Sequence, residues 1–222
     1  MPRLSFILIL SMLTTAAQAT EIFTATPTYK ACAKLATSDP KAALLKAETW
    51  LKSDNSIGPK HCQAMALYGL GRYTQAATAL THINEKLPPT DLVLRVYVTR
   101  QTVEAYTRAG KNDAALKTLT AQINTMNPAA AEETLDARLS AELLVGRANI
   151  LRKMGKKTDA IQDLDHALSL RPNNTEALLD RADLFLSMGE RALAKEDLQA
   201  ILRSNPKHPE AVKLMRQMKV NP

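Results

Sequence analysis

Residues 141–174 read AELLVGRANILRKMGKKTDAIQDLDHALSLRPNN, and residues 175–208 read TEALLDRADLFLSMGERALAKEDLQAILRSNPKH. Laid over each other without a gap, the two segments agree at 11 of 34 positions, among them Ala148 with Ala182, Gly155 with Gly189, Ala160 with Ala194, Leu164 with Leu198 and Pro172 with Pro206. Each reads as two amphipathic helices with punctuation. Leu144, Ala148 and Leu151 share one face of a first helix, and Gly155 supplies the left-handed residue that ends it. Ala160, Leu164, Ala167 and Leu168 share a face of the second, which stops before Pro172. Small alanines recur where two helix backbones must come close, and leucines where the gap between helices is filled. A hairpin of this size cannot hide its apolar face alone, so it makes sense only stacked on copies of itself.

Numbered from Ala141 and Thr175, each unit has a small residue at positions 8 and 20, Gly at 15, a large apolar residue at 24 and Pro at 32. This pattern resembles the tetratricopeptide repeat (TPR) family. Two departures stand out: the family's frequent Trp at position 4 is Leu144 and Leu178, and its Leu at position 7 is Arg147 and Arg181. The resemblance implies an all-α, right-handed α-solenoid that binds proteins or peptides without catalysis. About five TPR-like hairpins are expected, over residues 24–57, 58–90, 91–129, 130–174 and 175–208, followed by a capping helix over 209–220 with Ala211, Leu214, Met215 and Met218 on its inner face.

The earlier units are read from their own punctuation. Thr26-Pro27 and Asp39-Pro40 each pair an N-cap with a first-turn proline, and the second of these helices carries Ala43, Ala47 and Trp50 inward. The second unit starts near Gly58-Pro59 and turns at Gly71. The third is expected to begin after Thr90 as N-cap and to turn at Gly110. Leu135, Leu139 and Leu143 recur every four residues, which predicts a long helix over 130–154, about 37 Å at about 1.5 Å per residue. Its extension and that of unit three, with Leu92, Val93 and Val96, are expected to cover each other.

The chain starts with a short basic region at Arg3, an apolar run over 4–13 and the small-x-small triplet Ala17-Gln18-Ala19. That layout predicts a signal peptide, residues 1–19, removed after Ala19. The alternative is a retained anchor, but the run is well short of the roughly 20 residues that cross a bilayer. A periplasmic or secreted protein, with no transmembrane segment after signal removal, is therefore expected. Aromatic residues are only 4% and strand-type alternation is missing, so helices are expected throughout.

Cys32 and Cys62 fall on the first helices of adjacent units. A disulfide closing a loop of about 30 residues, and stabilising by roughly 3 kcal/mol, is the simplest reading in an exported protein. Two buried thiols, or a redox or metal site helped by His61, are the alternatives. No fourth ligand and no C-x-x-C accompany them, so neither metal nor cofactor is expected. His82, His166 and His208 are scattered, no nucleophile grouping or phosphate loop is present, and no enzyme is expected.

The family likeness places the partner surface on the concave wall, at positions 2, 5, 9 and 12 of each first helix. Those positions give Tyr97, Arg100, Glu104 and Thr107 in unit three, Glu142, Val145, Asn149 and Arg152 in unit four, and Glu176, Leu179, Asp183 and Leu186 in unit five. Asn149 is suited to a ligand backbone, and Arg100 with Arg152 to carboxylates; ordinary solvated residues are the alternative. Part of the family grips a C-terminal carboxylate with Lys and Asn at positions 5 and 9, and Val145 beside Asn149 breaks that pattern. The net charge is +7, or +6 once Arg3 is lost, with the excess gathered over 203–222. That end suits an anionic partner, or is the solvated side of a cap. Nucleic acid is disfavoured by export and by the scarcity of stacking aromatics. The functional expectation is an adaptor for a protein or peptide, with a structural assembly subunit, oligomerising through the unit-four helix and the end faces, as the alternative.

Overall fold

The computed structural model describes residues 26–126 and 134–220. The predicted signal peptide lies outside the described residues, as do residues 127–133 at the start of the predicted unit-four extension. The described residues form helices without strands: α1 (Pro27–Ser38), α2 (Pro40–Leu51), α3 (Ile57–Gly69), α4 (Tyr73–Lys86), α5 (Leu92–Arg108), α6 (Asn112–Asn124), α7 (Leu135–Lys153), α8 (Lys157–Leu170), α9 (Thr175–Met188), α10 (Arg191–Ser204) and α11 (Pro209–Val220). Each packs mainly on its neighbours in the chain, and first helices α1 with α3, α5 with α7, and α7 with α9 also meet. The result is a right-handed α-solenoid of five hairpins with α11 as its cap.

Helix boundaries follow local chemistry. The side chains of Thr26 and Asp39 accept hydrogen bonds from the amides of Tyr29 and Ala42 at the starts of α1 and α2. Gly71, Gly110, Gly155 and Gly189 all have positive φ, the left-handed conformation that lets one helix stop and the next fold back. Two expected starts move. The cap of α5 is Asp91, whose carboxylate accepts from the Leu94 amide, and not Thr90. The side chain of Thr134 caps α7 through the Ala137 amide, so this helix spans 19 residues, about 28 Å, and not the expected 25. Its leucine ladder is only partly covered. Leu139 and Leu143 join Leu92 and Val96 in one apolar cluster, whereas Leu135 and Val93 remain 49% and 54% exposed. In α2, Ala43 and Ala47 are buried as expected and Trp50 is half-buried.

The apolar seam is uneven along the rod. From α6 to α11 one continuous cluster runs through Leu144, Ala148, Leu164, Leu178, Ala182, Leu198 and Ala211. Toward α1 the core breaks into small groups of mostly alanine and cysteine, such as Ala36 with Ala43 and Ala66. There the backbones themselves come close: a Cβ on Gly69 would lie 2.7 Å from the Ala36 carbonyl oxygen and 2.8 Å from Pro40.

The two position-7 arginines explain why this chain tolerates a charge where the family prefers leucine. Nε and Nη2 of Arg147 donate to the two carboxylate oxygens of Asp163 at 2.8 and 2.6 Å, and Nη1 donates to Thr120 on the preceding second helix. Arg181 repeats the arrangement with Asp197 and, on the preceding second helix, Asp165. Asp163 and Asp197 are nearly buried in their hairpins. The bidentate pairs hold the two arginine pKa values above their usual range. Each arginine thus ties three helices together, and its alkyl stem still fills part of the space a leucine would take. Arg147→Ala leaves Asp163 buried without its countercharge, and should lower stability by about 3 kcal/mol in urea denaturation. The double substitution Arg147→Leu/Asp163→Leu should recover most of that loss. A double variant no more stable than the single one would show that the pair does more than satisfy itself.

Candidate binding cleft on the concave wall

All five first helices contribute to one cleft of about 880 Å³. Ala33, Ala36 and Thr37 come from α1, Ala64, Met65 and Tyr68 from α3, Tyr97, Arg100, Gln101 and Glu104 from α5, Glu142, Leu143 and Gly146 from α7, and Glu176 from α9. The cleft exists because α3 and α5 do not pack closely on each other, unlike the other described pairs α1/α3, α5/α7 and α7/α9. Side chains bridge the opening instead. The Tyr68 hydroxyl donates to Glu104 at 3.1 Å, and His61 on α3 meets Gln101 on α5 at 2.6 Å. Gly146 deepens the floor: a Cβ placed there would meet only Leu119, at 3.9 Å.

Six side chains were expected to form the partner surface, and the structure divides them. Tyr97, Arg100 and Glu104 line the cleft, with Tyr97 46% exposed. Asn149, Arg152 and Asp183 lie outside its lining, where they are bonded to one another and to Asp180 across α7 and α9. The two arginines expected to receive ligand carboxylates already have partners. Arg100 pairs with Glu142, and Arg152 donates to Asp183 at 2.8 Å. The hydrogen bond from Arg108 holds the Glu104 carboxyl below its ordinary range. Glu176 is pushed the other way, first by burial and then by the charges of Asp180 and Glu142; burial likewise raises Asp180.

Behind the α1–α3 end of the cleft lies a buried polar chain that reading the sequence did not anticipate. His61 is fully buried. Its Nδ1 faces the Tyr29 hydroxyl at 2.8 Å and its Nε2 faces Gln101 Oε1 at 2.6 Å. With Oε1 of Gln101 as acceptor, Nε2–H donates, Nδ1 accepts from Tyr29, and the ring is neutral. The Tyr97 ring lies 6.0 Å away. Cys32 and Cys62, on the same helices as Tyr29 and His61, are in disulfide geometry with Cα atoms 6.0 Å apart. Among the described residues no group of three His, Cys, Asp or Glu side chains is placed to hold a metal ion. None of the described helices is long and apolar enough to cross a membrane. The only sequence signal for the polar chain was a histidine beside a cysteine, which periodicity cannot tell from a surface residue.

Burial pushes the His61 pKa down, and the Gln101 hydrogen bond opposes this only in part. A proton that the unfolded chain accepts below about pH 6.5 is therefore refused by the folded one. Stability should be full above that pH and fall as pH drops toward the folded value, by about 1.4 kcal/mol per pH unit in that window. Urea midpoints between pH 7.5 and 5 should show this slope, and His61→Gln should flatten it; an unchanged slope in the variant would assign it elsewhere.

Comparison with known proteins agrees with this geometry. A tetratricopeptide repeat family model matches residues 151–218. No curated protein matches the chain. Among solved structures, the MamA protein aligns at a TM-score of 0.59 and 17% identity, covering 86% of this chain and 94% of its own. MamA from residue 41 to its end, from Desulfovibrio magneticus RS-1, aligns at 0.58 and 15%, covering 83% and 98%. YrrB, described as a TPR protein with an unusual peptide-binding site, aligns at 0.57 and 14%, covering 91% and 98%. At these identities the likeness establishes the fold. The chain is a tetratricopeptide-type solenoid in fold, and residues 151–218 are similar in sequence to that repeat family.

Proposed function

We propose that this protein is an exported, non-catalytic adaptor that docks an extended segment of a protein partner in its concave cleft. One observation carries the reading: five successive first helices converge on a single cleft of about 880 Å³ whose floor is apolar and whose rim is polar. The peptide-binding site described for YrrB supports it through the shared fold. The predicted leader over 1–19 supports export to the periplasm or beyond, and the disulfide geometry of Cys32 and Cys62 fits an oxidising compartment. Assembly of several copies is a second reading, favoured by the exposed Val93 and Leu135 on the first turns of the two long helices.

Gly146 separates occlusion of the cleft from damage to the fold. Gly146→Ala should raise stability by about 0.5 to 1 kcal/mol, since the new methyl has room and glycine is costly inside a helix. Gly146→Leu should keep the melting temperature within a few degrees of wild type and lose partners recovered by pull-down from the export compartment. Equal recovery by both variants would remove the cleft from the mechanism. For export, mass spectrometry of the protein purified from its native host should find a mature N-terminus at Thr20; an intact Met1 would overturn that part of the proposal.

A further inference from the structure

The charge balance of the cleft names the chemistry of its occupant, an inference that rests on the cleft being the docking site. Four charged side chains line it: Arg100, Glu104, Glu142 and Glu176. Arg100 is neutralised by Glu142. Glu104 is held by Arg108 at 2.9 Å and by the Tyr68 hydroxyl. Glu176 has no ion pair or hydrogen bond among the described residues; Arg100 attracts it at longer range, while Glu142 and Asp180, the latter one turn along α9, repel it. Asp180 is itself served by the Asn149 amide at 2.9 Å and by Arg152 at 3.9 Å. The unmatched charge of the cleft is therefore negative, in a chain whose overall charge is +7. The α1 end differs, since Ala33, Ala36, Thr37 and Pro40 offer no charge there.

We infer that the cleft takes an extended peptide segment with apolar side chains toward α1 and α3 and a lysine or arginine toward α9, where Glu176 receives it. An acidic segment is opposed by the same balance. It would face Glu142 and Glu176 with Arg100 as the one cation in the described lining, and since Arg100 is paired with Glu142, a second carboxylate would have to break that pair. A cation placed beside Glu176, by contrast, breaks nothing. It also relieves the repulsion among Glu142, Glu176 and Asp180 that, after burial, holds the Glu176 carboxyl above its ordinary range.

The test uses the mature chain, residues 20–222, and a displayed random octapeptide library. An enriched peptide is then measured by fluorescence anisotropy alongside versions in which its basic residue is Gln or Glu. Enriched sequences should carry Lys or Arg flanked by apolar residues, and Lys→Gln in the peptide should weaken binding about threefold to fivefold. In the Glu176→Gln protein the Lys and Gln peptides should bind alike, and the difference in the wild type should shrink at high salt. Enrichment of acidic peptides, or an unchanged Lys preference in Glu176→Gln, would overturn the charge inference and leave the cleft as docking site. Peptides that bind Gly146→Leu as well as wild type would overturn the docking reading itself. Self-association of the wild type that is lost in Glu176→Gln would overturn the peptide partner in favour of the basic end, residues 203–222, of a second copy.

Discussion

A helical hairpin of about thirty residues has one apolar face and nothing of its own to cover it, and every other feature of this rod follows from how that face is hidden. Burial of apolar area is the main favourable contribution to folding, and a hairpin gains it only when another hairpin arrives. The contact is made where side chains are smallest. Ala148, Ala160, Ala182 and Ala194 are essentially inaccessible, so neighbouring helices approach closely while Leu144, Leu164, Leu178 and Leu198 fill the spaces between them. At the last hairpin the same need is met by α11, whose Ala211 is buried and whose Leu214, Met215 and Met218 pack against the end of the seam. The backbone carbonyl of Met218 accepts from Arg191, fixing the cap to the second helix of the final unit.

The other end of the rod meets the constraint with different means. The buried clusters joining α1, α2 and α3 are built from alanine and cysteine, and leucine and isoleucine return only where α4 and α5 pack on α3. Specific links take up part of the role. Cys32 and Cys62 stand in disulfide geometry between α1 and α3, the Tyr29–His61–Gln101 chain joins three first helices through hydrogen bonds, and Gly69 lets α3 settle on the α1–α2 turn. These links are less forgiving than a leucine seam. A missing methyl in the seam is partly healed by repacking, whereas a histidine that takes up a proton, or a glycine that gains a Cβ, has no alternative arrangement.

How much of this was legible in the sequence depended on whether a feature repeats. The period of 34, the turn glycines and the alanine positions announced the hairpins and their stacking because each appears at least twice. Sequence alone puts the N-cap of α5 one residue early because Thr90 and Asp91 are both good caps and only the backbone chooses between them. Sequence alone puts the start of α7 early because a run of alanines favours helix on composition, whereas the Thr134 hydroxyl is what caps it. Arg147 and Arg181 stood out as departures from the family pattern. Their partners Asp163 and Asp197 follow at the same 16-residue spacing, a signal that was present but is meaningful only once the two helices of a hairpin are known to face each other. The pairing of Arg100 with Glu142 had no such signal, since it joins consecutive units and appears once.

The repeats also show why the cleft opens where it does. Arg147 and Arg181 each stand eight residues before a turn glycine, with their aspartates eight residues after it and their third partners, Thr120 and Asp165, ten after the preceding one. The same three places around α5 hold Thr102, Thr118 and Thr81. Each of these hydroxyls donates to the carbonyl four residues back in its own helix, so none of them links two helices as the arginines do. All three line a second cavity, of about 540 Å³, together with Asn84, whose buried Oδ1 has no partner among the described residues. Helix α5 therefore has the concave cleft on one side and a cavity on the other, and its three-helix link is the neutral one from Asn84 through Thr99 to Gln122, not an arginine tie like those of α7 and α9. Close packing transmits the position of one hairpin to the next, and a gap in it is where one hairpin can tilt at least cost. The separation of α3 from α5 that forms the cleft falls at this junction, where threonines stand in the places that the later units give to arginine and aspartate.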